Sequence, residues 1–440
     1  MRGVVLLICA LAFGCAVGSV QNVRIALAGD VSRMAIVWIT GEETLTSTVF
    51  YGTSATSLNL QASSDSQTSY SSTAGWNHKV ILTGLAPATT YYYQAGDKVD
   101  GFSAVFSFTT RHTSFVPHTV VAYGDMGVDN SNGTMTQLIR GSEAGAYDLV
   151  IHMGDISYAN DHSAQFEETW TTWLTEMQPV MANVPYMVAP GNHESVCKAL
   201  HCALQTSNFT TYKQKFRMPG PESGTDTNMF YSFDYYNIHF VAISSESDYP
   251  GAPPIESASP DHPPSPPSNE SSSYFQINWL RKDLAKANAN RHNVPWIVVF
   301  GHRPIYAQLL EQDGIPIGTS LQVQAFLEPI LKEFEVDVYL TGHVHAYLRT
   351  YPTYNNTVTS YDYVDPPSTV HICAGGAGNV EGISTFTDFP SWYAAGNDKD
   401  FGFGAFVVDE ESGILTWNYY LSKNGELADT FSITKTSHRR

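Results

Sequence analysis

Five short stretches of this 440-residue chain share one pattern: an apolar run ends at a glycine, and side chains able to bind metal follow directly. The apolar runs predict buried strands. The stretches are VVAYGDMG (120–127), DLVIHMGDISY (148–158), YMVAPGNHE (186–194), WIVVFGHRP (296–304) and VYLTGHVHAY (338–347). Because an open α/β sheet binds ligands just past the carboxyl ends of its strands, the pattern predicts a single site built from five strand ends.

The side chains at these strand ends form a hard to borderline set of metal ligands. They are Asp125, Asp155, Tyr158, Asn192, His302, His343 and His345. Carboxylate, phenolate, amide oxygen and imidazole suit iron, zinc or manganese, and they do not suit copper(I) or an iron–sulfur cluster. Seven ligands exceed the needs of one ion, so two ions bridged by a carboxylate fit better. Such a pair can clamp a phosphate and activate a water.

The first 19 residues have the pattern of a signal peptide. Arg2 precedes an apolar core from Val4 to Phe13, and small residues follow up to Ser19. The core is too short to span a bilayer, so cleavage near Ser19 is favoured over a membrane anchor. We therefore expect a secreted protein or one of a lysosome- or vacuole-like compartment.

Sequons and cysteines agree with a secretory route. The acceptor asparagines are Asn132, Asn208, Asn269 and Asn355. Cys197 and Cys202 are close enough in sequence to close a small disulfide loop in an oxidising compartment. Cys373 lies in an apolar run and is expected to be a buried free thiol.

The strand pattern changes along the chain and predicts two domains after the leader. Residues 20–112 show short alternating strands, typical of a small β-sandwich of the fibronectin type III kind. Residues 113–440 alternate strands with helical segments, which indicates an α/β domain with a helix-covered sheet. This domain includes C-terminal strands from about residue 370, and its last portion, residues 401–435, is expected to complete a second sheet packed on the first. The proline- and serine-rich residues 250–273 predict a surface loop. Helices are predicted at 134–143, 164–181, 275–288 and 321–334.

In this order, GDMG, GDISY, GNHE, VFGH and GHVH resemble the five metal-binding motifs of the purple acid phosphatases, a branch of the metallophosphoesterases. Each motif alone has low specificity, but the ordered set is specific. Tyr158 separates this family from the serine/threonine phosphatase relatives, which lack the tyrosine and carry histidine at the position of Gly127. The resemblance implies an N-terminal β-sandwich followed by a four-layer αββα metallophosphoesterase sandwich.

The resemblance also implies the cofactors, Fe(III) plus one divalent ion (Fe, Zn or Mn), and a role for each ligand position. The ferric ion would be held by Asp125, Tyr158 and His345. The divalent ion would be held by Asn192, His302 and His343. Asp155 would bridge the two ions. His193 follows a ligand without being one, and it would bind phosphate or protonate the leaving oxygen.

The implied function is a secreted acid phosphatase that hydrolyses phosphate monoesters by attack of a metal-activated hydroxide. Small phosphorylated molecules are the expected substrates, and a net charge of -19 opposes binding to nucleic acid or anionic membranes. A phosphodiesterase or nucleotide pyrophosphatase on the same core is an open alternative. A non-catalytic binding protein is disfavoured, because it would not need the full ligand set together with His193.

Several further positions have more than one interpretation. Glu311 and Gln312 stand where some plant members carry a histidine pair, and Leu348 where many relatives carry an acidic residue, so the surroundings there are expected to differ. Glu194 either braces the GNHE loop or is solvated. Arg303 and Arg349 either approach the substrate or form structural ion pairs. His152 and His239 are expected to be satisfied core histidines, and His78 a surface or strand residue rather than a ligand.

Overall fold

The computed structural model describes residues 20–198, 200–253, 274–307, 311–312, 315–316, 318–409 and 413–436. The predicted signal peptide, the sequon at Asn269 and most of the predicted 250–273 loop lie outside these residues. The side chains of Glu311 and Gln312 also lie outside the description.

Residues 20–110 form two antiparallel sheets, as the alternating pattern predicts. Their strands are β1 Gln21–Leu27, β2 Met34–Thr40, β3 Ser47–Gly52, β4 Leu60–Ser64, β5 Gln67–Thr68, β6 Trp76–Leu82, β7 Thr90–Asp97, β8 Gly101–Phe102 and β9 Phe106–Thr109. One sheet has the order β1-β2-β6-β5, and the other has β4-β3-β7-β8 with β9 paired to β7. His78 lies in β6 as a structural residue: it is buried, stacks on Trp38 and hydrogen-bonds Thr40 and Ser47.

The rest of the described chain alternates strands and helices. Its strands are β10 His118–Tyr123, β11 Leu149–Met153, β12 Tyr186–Ala189, β13 Tyr231–Tyr235, β14 Ile238–Ala242, β15 Trp296–Phe300, β16 Glu311–Gln312, β17 Ile315–Pro316, β18 Val338–Thr341, β19 Tyr347–Thr350, β20 Thr353–Tyr354, β21 Thr357–Val358, β22 Val370–Ala374, β23 Tyr393–Asn397, β24 Gly402–Val408, β25 Ile414–Leu421 and β26 Leu427–Thr434. Its helices are α1 Asn132–Glu143, α2 Phe166–Met181, α3 Ala203–Thr206, α4 Thr210–Lys215, α5 Gly220–Ser223, α6 Phe275–Ala289 and α7 Gly318–Glu333.

The four long helices α1, α2, α6 and α7 match the four predicted segments to within a few residues, because each has an apolar stripe at three and four spacing. Within the described residues, none of the helices combines the length and the apolar character needed to cross a membrane.

Two mixed sheets form the centre of this second part, in the four-layer αββα arrangement. The first sheet has the order β12-β11-β10-β24-β25-β26, and the second has β13-β14-β15-β18-β22-β19-β23. The expectation that the C-terminal strands complete a second sheet was wrong for β24 to β26. They extend the first sheet instead, because β24 pairs antiparallel with β10, with Val408 opposite His118.

His239 links the β13–β14 hairpin to helix α6 through two hydrogen bonds. In β14 it faces Asp234 of β13, and its ring nitrogens lie 2.6 Å from Asp234 Oδ1 and 2.9 Å from Asp283 Oδ2 of α6. Burial alone would lower the pKa of His239, but the hydrogen bonds to the two carboxylates outweigh burial and raise the pKa to about 9. The structural role expected for His239 is confirmed, and the ring is a buried cation at neutral pH. His152 is structural too, buried beside Tyr186.

The raised pKa of His239 predicts a pH-dependent contribution to stability. This contribution is fully present below the unfolded pKa of about 6.5 and is lost as pH rises through about 9. His239→Gln should therefore destabilise the protein on the order of 2 kcal/mol near pH 6 and much less above pH 9. Thermal unfolding of wild type and variant at both pH values measures this difference. His292→Gln, at an exposed histidine, is the control. An equal loss at both pH values would rule out a charged His239.

Candidate metal centre

The predicted ligand positions converge at the carboxyl ends of parallel strands. The first sheet supplies Asp125 after β10, Asp155 after β11 and Asn192 after β12. The second sheet supplies His302 after β15, and His343 and His345 after β18. Facing strand ends of the two sheets thus bring together residues that are far apart in sequence.

One cluster joins Asp125, Tyr158 and His345. Tyr158 Oη lies 2.9 Å from His345 Nε2 and 3.3 Å from Asp125 Oδ1. His345 Nε2 lies 3.4 Å from the same carboxylate oxygen. Tyr158 is only 1% exposed and Asp125 is fully buried. Three different donor atoms therefore surround one small volume.

The second cluster is centred on His302. Its Nε2 lies 3.0 Å from Asp155 Oδ2, 3.0 Å from Asn192 Oδ1 and 3.1 Å from His343 Nδ1. The Nδ1 atom of His302 lies 2.9 Å from the carbonyl oxygen of Met153, so Nδ1–H donates to that carbonyl and Nε2 faces the cluster. His345 is oriented in the same way by the carbonyl oxygen of Gly382.

The backbone is strained where it presents these side chains. The left-handed φ values are 62° at Asp125, 52° at Asp155, 56° at Tyr158 and 70° at His343. Non-glycine residues rarely adopt this region, and clusters of such residues mark functional sites. Glycine is required beside them: a Cβ at Gly191 would lie 2.3 Å from Asp155 Oδ1.

Packing also explains why Gly127 accompanies Tyr158. A Cβ at position 127 would lie 3.1 Å from Cδ2 of the tyrosine ring. A larger side chain at position 127 would therefore press on the phenol ring and require it to shift by a few tenths of an ångström, so glycine suits this position of Tyr158.

Glu194 braces two strand-end loops, one of the two roles considered for it. Its buried carboxylate accepts hydrogen bonds from the backbone N–H groups of Asp155, Ile156 and Gly191 at 2.8–2.9 Å. Burial and the charge of Asp155 raise the pKa of Glu194 to about 7, although the backbone hydrogen bonds oppose this rise. Glu194 therefore fixes the backbone that carries Asp155.

His193 lies next to both clusters. Its backbone N–H donates to Asp155 Oδ1 at 2.7 Å, and its ring centroid lies 4.1 Å from that of Tyr158. Nδ1 faces Asn160 Oδ1 at 2.8 Å and Asp161 Oδ2 at 3.0 Å, and Nε2 lies 3.8 Å from Asp155 Oδ2. Burial lowers the pKa of His193, but the negative charges of Asp155 and Asp161 raise it by a larger amount, so the net shift of the pKa is upward.

Sequence reasoning missed the ring of polar residues around His193. Lys198 Nζ lies 2.5 Å from Asp161 Oδ1 and 2.5 Å from Glu381 Oε1. Glu381 Oε1 is also 3.8 Å from His193 Nε2. Nearness in sequence was the available signal: Asp161 follows GDISY and Lys198 follows GNHE. Asp161, His193 and Glu381 form a second group able to hold a cation, beside the group of Asp155, His302 and His343.

The two arginines differ in their contacts. Arg349 pairs with Asp429 at 2.6 Å and is structural. Arg303 pairs with Glu246 at 2.8 Å, and its Nη1 lies 3.0 Å from His343 Nε2. Burial and the charge of Arg303 lower the pKa of His343 well below its ordinary value, so the imidazole is neutral, as a metal ligand must be.

The remaining predicted positions lie outside the two clusters. Cys197 and Cys202 form a disulfide, and Cys373 is a buried free thiol, as expected. Asn132, at the start of α1, and Asn355 are exposed. Asn208 is half-buried and accepts a hydrogen bond from Lys213. Leu348 is buried in β19 opposite Cys373, so its surroundings are apolar.

The donor atoms of the two clusters fit metal ions. Only oxygen and nitrogen atoms take part, and most of the residues are buried. The donor atoms lie 2.9–3.4 Å apart in the first cluster and 3.0–3.1 Å from His302 Nε2 in the second. Carboxylates, a phenol, an amide and imidazoles in this arrangement suit two hard to borderline ions.

Comparisons with known proteins agree with this site. Three family models match in order: purple acid phosphatase N-terminal domain over residues 20–110, calcineurin-like phosphoesterase over 118–347, and iron/zinc purple acid phosphatase-like protein C over 368–430. The chain is 31% identical to purple acid phosphatase 22 of Arabidopsis thaliana over 414 residues, covering 93% of this chain and 84% of the relative. It is 29% identical to an acid phosphatase of Aspergillus ficuum over 477 residues, covering 82% and 76%.

A solved structure shows the same fold. The purple acid phosphatase from seeds of yellow lupin, Lupinus luteus, superposes with a TM-score of 0.77 at 22% identity, covering 95% of this chain and 74% of that one. The family implies a dinuclear metal centre, which the two donor clusters fit. The chain therefore belongs to the purple acid phosphatases, within the calcineurin-like phosphoesterases.

Proposed function

We propose that this protein is an acid phosphatase that hydrolyses small phosphate monoesters at a dinuclear centre of Fe(III) and a divalent ion, which is Fe, Zn or Mn. The observation that carries the proposal is the position of Tyr158 Oη, within 3.3 Å of both Asp125 and His345. A phenol oxygen beside a carboxylate and an imidazole is a donor set for a trivalent iron ion. The names of the relatives support the same activity.

The proposed ligands follow the two clusters. The ferric ion is assigned to Asp125, Tyr158 and His345, and the divalent ion to Asn192, His302 and His343. Asp155 is assigned to both ions, as the family resemblance implies, and its Oδ2 lies 3.0 Å from His302 Nε2 of the divalent cluster. When bound, the ions supply Lewis acidity and activate a water for attack at phosphorus.

The protein's own residues then bind the phosphate and handle a proton. His193 presents Nε2 to the centre while Nδ1 is held by Asn160 and Asp161, so the ring cannot turn freely. A protonated Nε2 binds a phosphate oxygen or gives its proton to the leaving oxygen. Lys198 lies nearby, joined to Asp161 and Glu381, and places a cation beside the site.

Hydrolysis of p-nitrophenyl phosphate, compared with its bis-ester, tests the proposal. We expect a much higher kcat/KM for the monoester, with an optimum below neutrality, because a trivalent ion ionises bound water in acid. A preference for the bis-ester would favour the phosphodiesterase alternative. An optimum clearly above neutrality would exclude ferric iron and favour a Zn or Mn pair. Absence of both activities in metal-loaded protein would favour a binding protein.

We also propose that the chain is secreted, or delivered to a lysosome- or vacuole-like compartment, after cleavage near Ser19. The disulfide between Cys197 and Cys202 supports an oxidising compartment. The proposed domains are residues 20–112 and 113–440, with glycans at Asn132, Asn208, Asn269 and Asn355. Mass spectrometry of the mature protein before and after glycan removal tests the cleavage site and each sequon. An intact N-terminus or unmodified sequons would contradict these assignments.

A further inference from the structure

A group of cations gathers where the β-sandwich meets the catalytic domain, although the chain carries a net charge of -19. The group consists of Arg24, Arg33, Lys79, Lys213, Lys215 and Arg217. Only part of this charge is neutralised: Glu222 pairs with Arg33 and Arg217, and Glu167 pairs with Lys215 at 3.5 Å.

Three of these cations line a cavity of about 290 Å³, which we call the interdomain basic groove. Lys79 comes from β6 of the β-sandwich, and Lys213 and Arg217 come from the catalytic domain in and just after α4. The other lining residues are Phe216, Met218, Pro221, Asp226, Thr227 and Asn228. Asp226 is exposed and is the one carboxylate among the described lining residues.

The three lining cations have too few carboxylate and hydrogen-bond partners to balance their positive charges. In the described part of the chain, no carboxylate lies within ion-pair distance of Lys79, and the charges that act on it most are the cations Arg24 and Arg217. Arg217 pairs with Glu222 through Nη2, but its Nη1 is buried without a hydrogen-bond partner. Lys213 Nζ contacts the neutral amide oxygen of Asn208 at 2.9 Å.

This arrangement is unfavourable unless an anion is present. Burial lowers the pKa of Lys79 to about 8, with Arg24 and Arg217 adding to the effect, and burial lowers the pKa of Lys213 to about 8. Bringing like charges together while removing water raises the free energy of the folded state. A bound oxyanion would accept charge-assisted hydrogen bonds from all three side chains and reverse this cost.

We propose that the interdomain basic groove binds a small polyanion bearing phosphate or sulfate groups, held by Lys79 from one domain and by Lys213 and Arg217 from the other. The cavity volume suits a small molecule, and the net charge of the chain opposes a long anionic polymer. Binding would link the two domains and stabilise the folded protein. The site is separate from the metal centre and does not depend on the proposed reaction.

The test uses the metal-loaded protein and myo-inositol hexasulfate, which is not a phosphate ester, as the probe. Calorimetric titration and thermal unfolding should show binding and a raised Tm for wild type. Lys79→Gln should weaken binding about 10-fold or more, the scale for losing a charged hydrogen-bond partner. Lys282→Gln, at an exposed lysine of α6, removes the same charge elsewhere and should bind like wild type. In anion-free buffer, Lys79→Gln should unfold at the same temperature as wild type or higher.

Thermal unfolding with inorganic phosphate distinguishes phosphate compounds from sulfated compounds as the natural ligand. Phosphate can also bind at the metal centre, but that part of the Tm shift does not depend on Lys79. A Tm shift that shrinks in Lys79→Gln identifies phosphate compounds as ligands, whereas a Lys79-dependent shift with the hexasulfate alone identifies sulfated ones. Equal binding of the hexasulfate by wild type and Lys79→Gln overturns the proposal. So does a Tm of Lys79→Gln below that of wild type without anion, because Lys79 would then have a structural role. Lys213→Gln is a second variant of the groove, and it should also weaken binding of the hexasulfate.

Discussion

Replacement of His193 by alanine should lower turnover of a phosphate monoester about 100-fold or more, with both metal ions retained. The reason is the position of the ring. Its Nδ1 is held by Asn160 and Asp161, and its Nε2 remains 3.8 Å from Asp155 Oδ2, outside the contacts of 2.9–3.4 Å that join the donor atoms of each cluster. This position fits the proposed role of the imidazole toward the substrate. Steady-state kinetics together with metal analysis of the purified variant measures both effects.

Two matched variants make this experiment decisive. His162→Ala removes a partly exposed histidine that pairs with Asp129, and it should change neither turnover nor metal content. His345→Ala removes a proposed ligand and should lose metal. If His193→Ala also loses metal, then His193 is a ligand, and the group formed with Asp161 and Glu381 becomes the preferred description of its role.

Tyr158→Phe should abolish the visible absorption of the protein. A phenolate bound to ferric iron gives a ligand-to-metal charge-transfer band, so the purified wild type should be pink to purple. Phenylalanine keeps the ring that packs against Gly127 and His193 but removes the oxygen that faces Asp125 and His345. The fold should survive, while the colour and the preference for the trivalent ion disappear. A visible spectrum and metal analysis of both proteins provide the measurement.

Tyr123→Phe is the control for this change. Tyr123 is also fully buried, and its hydroxyl bonds Tyr186 rather than the donor clusters, so this variant should remain coloured. A wild type that holds a full complement of iron without a visible band would contradict a ferric phenolate centre. A coloured Tyr158→Phe protein would contradict it equally.

The convergence of the proposed ligand positions was predictable because each position depends on a local pattern. An apolar strand that ends at glycine before Asp125 or Asp155 defines both the buried strand and the side chain at its end. The long helices were predictable for a similar reason, since an apolar stripe determines the buried face of a helix. The bracing role of Glu194 was one of two open interpretations, and only the hydrogen bonds to three backbone N–H groups distinguish them.

Features that depend on pairing between distant segments were not predictable. The strands β24 to β26 have the alternation of any antiparallel strand, and nothing local indicates that β24 pairs with β10 rather than with the second sheet. Likewise Lys198 and Glu381 are distant in sequence and meet only in the folded chain. The partners of Arg303 and Arg349 were undetermined for the same reason, because Glu246 and Asp429 come from other parts of the chain.

Each donor cluster takes side chains from both sheets, so the spacing of its atoms depends on how one sheet lies against the other. Phe240 of β14 contacts Phe406 of β24 across this interface, with ring centroids 6.5 Å apart. The metal-binding constants are therefore a property of the whole sandwich. If the two sheets slide past each other by a fraction of an ångström, every donor distance that spans them changes at once. Substitutions in the core between the sheets, far from the ions, are therefore expected to change metal affinity.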